Sequence, residues 1–110
     1  MEIIEVTVNA GVCGFKTVII SKAEDSRHAS IEIKTECPNL KPIESEIITA
    51  DAYKECFAKV GKSGIYEIVS KYCKHSACPV PGAIIKGIEA SCGLALPREV
   101  KIEIKKRAND

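Results

Sequence analysis

The chain has 110 residues, 45% of them hydrophobic, with 16 basic and 15 acidic side chains and a net charge of +1. That length suits one domain with a real core and no more. The charges are interspersed, so no basic stripe points to nucleic acid, and no apolar run approaches a membrane span.

The core has to be aliphatic, because the chain has no Trp, three Tyr and two Phe. In chain order, Ile4, Val6, Val8 and Ala10 alternate with Glu5, Thr7 and Asn9, the pattern of a half-buried strand. The acidic, alternating N-terminus reads as that strand and not as a signal peptide. This predicts a cytoplasmic protein with reduced thiols, and clustered thiols in such a compartment are metal ligands or redox groups more often than staples. "GVCG" is a turn signal, and Phe15 to Lys22, rich in β-branched residues, reads as a second strand. Ala29 to Thr35 alternates again, with Ile31 and Ile33 inward. Three strands with short links make an antiparallel meander.

Pro38 and Pro42 then break the pattern, which predicts a turn of helix and irregular chain. Thr49 is the expected N-cap of a helix from Ala50 to Val60, stopped by Gly61. Ser63 caps a second helix from Gly64 to about Lys74. Pro81 suits the first turn of a third, which ends near Cys92 before Gly93. After Pro97, Val100, Ile102 and Ile104 alternate with Lys101, Glu103 and Lys105, which predicts a last strand over 98–106. The expected fold is α+β: a three-stranded antiparallel meander, three helices packed on one face, and a C-terminal fourth strand joining the sheet. Residues 1–106 form one domain in this reading and 107–110 a frayed tail.

The six cysteines sort by pattern. Cys56 shares helical spacing with Tyr53, Phe57 and Val60, and Cys92 shares it with Ile84, Ile85 and Ile88. Both read as small buried hydrophobes. Cys13 lies in the first turn and Cys37 just past the third strand. A meander brings these two positions to one edge of the sheet. Cys78 stands before a helix start, where free N–H groups and the helix dipole favour thiolate. Cys73 either packs behind Ile65 and Val69 or turns toward Cys78, and His75 lies between them in a C-x-H-x-x-C pattern. Three Cys plus one Cys or His make a tetrahedral set suited to zinc or an iron–sulfur cluster.

These positions resemble those of the U-type iron–sulfur cluster scaffold proteins. That family has a Cys-Gly-Asp turn after its first strand, a second Cys after its third strand, and a third Cys late in the chain after Lys-x-His. Here Cys13-Gly14, Cys37, and Lys74, His75 and Cys78 fall at those places. Phe15 stands where the family has Asp, Pro38 follows Cys37, and two residues separate His75 from Cys78. The resemblance implies a scaffold or carrier whose partners are proteins of cluster or sulfur metabolism. The chain is also similar to small uncharacterised proteins of anaerobic microbes that share an H-x-x-C-P-V-P segment.

Three functions follow. The first is a metal-binding module on Cys13, Cys37, Cys78, His75 and Cys73, with the fourth ligand being Cys73 or His75. The second is thiol redox or persulfide chemistry at Cys78 with Cys73 as resolving thiol. The third is a structural or interaction domain whose cysteines pack. No P-loop, dinucleotide-binding glycine motif or nucleophile elbow points to an enzyme.

Overall fold

The structure is a computed structural model that describes residues 2–109. Met1, at the start of the predicted domain, and Asp110, the last residue of the predicted tail, lie outside the described residues. The alternating N-terminal segments form strands β1 (Ile3–Asn9), β2 (Lys16–Ala23) and β3 (His28–Thr35). A 3-10 turn over Pro38–Leu40 and helix α1 (Ile43–Glu46) follow. Then come strand β4 (Thr49–Asp51) and helices α2 (Ala52–Cys56), α3 (Gly64–Ser70) and α4 (Val80–Ser91). The four strands make one antiparallel sheet in the order β1-β2-β3-β4. The fold is therefore α+β.

Alternation decides the faces, since successive strand side chains point to opposite sides. Val8, Ile19, Ile31 and Ile33 are buried in one cluster with Leu40, Ile43, Ile65, Ile84 and Ile88. Helix α4 lies close on the sheet: a Cβ added at Gly87 would stand 3.1 Å from Val6 Cγ2 and 3.6 Å from Ser21 Cβ. Absence of a side chain there is what permits the approach. One polar tie crosses this apolar contact. The Ser91 hydroxyl donates to the Ile88 carbonyl at 3.1 Å, leaving Ser21 to donate to Ser91 at 2.8 Å.

Local chemistry explains the turns. In the β2–β3 turn, Asp25 Oδ1 accepts the N–H groups of Arg27 and His28, each at 2.7 Å, and its carboxylate also meets the His28 ring. Ser63 caps α3 as expected, its hydroxyl accepting the Tyr66 N–H at 3.4 Å, and Glu55 adds an acceptor for the Ile65 N–H at 2.8 Å.

Two expectations are corrected. The helix expected from Ala50 begins at Ala52, because Thr49–Asp51 pairs with β3 instead (Ser30↔Thr49, His28↔Asp51). Asp51 is the N-cap, its carboxylate accepting from Tyr53 and Lys54 while Arg27 Nε donates to it at 2.8 Å. This helix stops at Cys56, and Phe57 and Val60 are exposed. The Tyr53, Phe57 and Val60 stripe thus faces outward, with Tyr53 and Phe57 in edge contact and Arg27 over the Tyr53 ring. Ala52 and Cys56, four apart, make the inward face. The second correction is the C-terminal strand over 98–106, which does not form: these residues have no regular structure and are exposed. Alternation marks a segment able to be a strand but does not supply its partner. The fourth strand of the sheet is β4 instead.

Candidate functional site: a cysteine cluster at one end of the sheet

The sheet brings Cys13 and Cys37 to one end, as the meander requires. Thr17 pairs with Thr35, and the Glu36 N–H donates to the Lys16 carbonyl at 2.9 Å. The turn holding Cys13 is closed by Gly14 N–H on the Gly11 carbonyl at 2.9 Å, and both glycines have positive φ. Cys13 itself is exposed. Cys37 is half-buried, placed by its own N–H on Thr35 Oγ1 at 3.2 Å and by the Leu40 N–H on its carbonyl at 3.1 Å.

Cys73 and Cys78 flank a short connection between α3 and α4. Cys73 N–H donates to the Val69 carbonyl at 2.8 Å, which extends the helical path one turn past α3. The His75 carbonyl then accepts twice: from Cys73 Sγ at 3.5 Å and from the Cys78 N–H at 3.0 Å. It is therefore the backbone of His75, not its exposed ring, that folds the two cysteines toward each other. Both thiols are half-buried against the core.

The Cys78 thiol is pushed up to about 11. Burial is the largest cause; the Val80 N–H opposes it, and the neighbouring Cys73 and Cys37 thiols add to it. This corrects the expectation of a thiol activated by the helix start. A single N–H from α4 does not outweigh desolvation and two nearby sulfurs. Cys73, and more weakly Cys37, thus lie near enough to act on the Cys78 thiol, whereas Cys13 is not among the groups that do. Among the described residues, no three His, Cys, Asp or Glu side chains stand in a metal-ligating group.

Cys56 and Cys92 form a second pair, away from this end of the sheet. Cys92 is buried, as its helical spacing predicts. Cys56 is raised to about 11 by burial, with Glu89, Cys92 and Glu55 adding to it. Gly82 faces Tyr66 Oη, which a Cβ would meet at 3.6 Å, and lines a shallow cleft with Cys56 and Ile85. The proximity of Cys37 to Cys73 and Cys78 was not readable from spacing. It relates the end of β3 to the α3–α4 turn across 36 residues of chain, and no local pattern encodes that approach.

The chain matches a protein family over residues 4–104. It belongs to the family of unknown function DUF6951. The match runs from β1 through all the cysteines and into the exposed C-terminal segment. No curated protein matches this DUF6951 chain, and no solved structure does. Among the described residues, no helix is long and apolar enough to cross a membrane.

Proposed function

We propose that this protein binds a soft metal centre, zinc or an iron–sulfur cluster, through Cys37, Cys73 and Cys78, with Cys13 or His75 as the fourth donor. The observation that supports the reading is that Cys73, across the His75 turn, and Cys37, from the end of β3, both act on the Cys78 thiol, and that all three are half-buried. The donor set fits: three sulfurs and one sulfur or imidazole are the tetrahedral complement of zinc or iron–sulfur sites. Burial disfavours a lone thiolate at Cys78. A bound cation compensates that cost, so binding releases protons and tightens as pH rises. The thiols do not stand as a ligand group among the described residues, so binding has to draw them together. The order of the thiols along the fold parallels that of the U-type scaffolds. That parallel favours a carrier or scaffold working in the cytoplasm with proteins of cluster or sulfur metabolism.

The test is anaerobic purification with metal analysis and a visible absorption spectrum, repeated on Cys37→Ser and Cys78→Ser. We expect bound zinc or iron in the parent and its loss in both variants. A colourless, metal-free parent whose six cysteines all alkylate freely overturns the reading.

One observation favours a second reading. Cys73 and Cys78 are direct neighbours across the His75 turn. They can close to a disulfide, giving two protons and two electrons to an acceptor disulfide, which leaves as two thiols. Under mild oxidation this predicts a loss of two hydrogens in mass that Cys73→Ser abolishes. The metal reading predicts that bound metal protects the pair from that loss.

A further inference from the structure

The C-terminal segment 98–106 reads as a strand and stands without one. Val100, Ile102 and Ile104 are 58%, 73% and 90% exposed, on alternate positions. The molecule measures 53 Å in its longest dimension against 28 Å and 24 Å in the others. At the same time β1 is an edge strand, paired only with β2. It has seven residues, all alternating, with no proline to block a further strand. Natural proteins usually shorten, bend or cover such an edge. The opposite edge, β4, has three residues.

We propose that residues 99–105 of one molecule add as a strand to the open edge of β1 in a second copy. Charge supports this pairing: Arg98, Lys106 and Arg107 flank the strand, within it Lys101 and Lys105 offset Glu99 and Glu103, and β1 with the residue before it carries only Glu2 and Glu5. Pattern supports it too. A register that sets Lys101 opposite Glu5 places Val100 and Ile102 beside Ile4 and Val6, whichever way the strand runs, because paired residues share a face. Ile4 and Val6 are only half-buried on the helix side of β1, so this apolar ladder covers them. One chain carries both the edge and the strand, so a second copy offers each half at equal concentration.

Sedimentation or light scattering of the full chain over rising concentration is the test. We expect a species of twice the 11.9 kDa chain mass. Truncation after Pro97 returns it to monomer, with circular dichroism losing the signal of the added strand while the helices stay folded. Lys101→Glu and Glu5→Lys each weaken association roughly 2- to 5-fold, the size of one cross-strand pair, and together restore it. A full chain that stays monomeric overturns the proposal, including one whose tail amides are protected on its own sheet. A dimer that survives truncation overturns it equally.

Discussion

Cys78 shows how one side chain can stand at a helix start and still have its thiol pushed up. Its proline neighbours Pro79 and Pro81 fix the start of α4, and that much was readable from the sequence. The raised thiol was not readable, because its causes are burial and the Cys73 and Cys37 thiols, which only tertiary structure brings near. The consequence for reactivity has a definite sign. A thiol raised above its ordinary 9.0 keeps its proton in the fold; the stability it contributes is present below that value and is lost as pH rises toward about 11. In the metal-free protein, the alkylation rate of Cys78 should therefore keep rising with pH and level off only near about 11. Site-resolved labelling across a pH series reads this. Rates for Cys78 that level off below 9.0 would refute it.

Elements were more legible than contacts. β1, β2 and β3 emerged from alternation, and α4 from Pro81, the aliphatic stripe and Gly93. The stripe over Tyr53, Phe57 and Val60 misled, because periodicity gives a helix face without saying which way it looks. Asp51 and Arg27 orient α2 instead, putting Ala52 and Cys56 inward. β4 was missed for a related reason: a three-residue strand carries no period, and only its pairing to β3 defines it. Helix α4 yields a prediction at this scale. Gly87 faces Val6, Ser21 and Ile19, so Gly87→Leu forces α4 off the sheet and should destabilise by about 2–3 kcal/mol, the cost of overpacking. Denaturant unfolding measures it, and a variant as stable as the parent would show that the contact is not tight.

At the scale of the whole molecule, four carboxylates tie the elements together. Glu44 is held below its usual range by the Thr35 N–H, joining α1 to β3. Glu46 is held down by Tyr72 and Lys71, joining α1 to the end of α3. Burial works against Asp51, yet Arg27 and the first N–H groups of α2 still lower it. Asp25 is lowered to about 2 by the His28 and Arg27 N–H groups. Each folded value lies below the unfolded one. The stability they contribute is therefore present above the ordinary 3.8 to 4.5 and is lost as pH falls through the folded values. Thermal midpoints should hold steady in mild acid and drop below pH 4.5, more steeply at low salt because these groups are partly or fully exposed. A midpoint unchanged down to pH 2 would contradict this account.

The Ser21–Ser91 hydrogen bond sits at the last residue of α4, whereas Cys78 precedes its first turn. Twelve helical residues span about 18 Å between them. A rod pinned at its far end does not slide along the sheet; it pivots. Drawing Cys78 toward Cys37 by moving the helix would therefore lever Val80 and Ile84 out of the core, so the cheaper movement is in the turn before Val80.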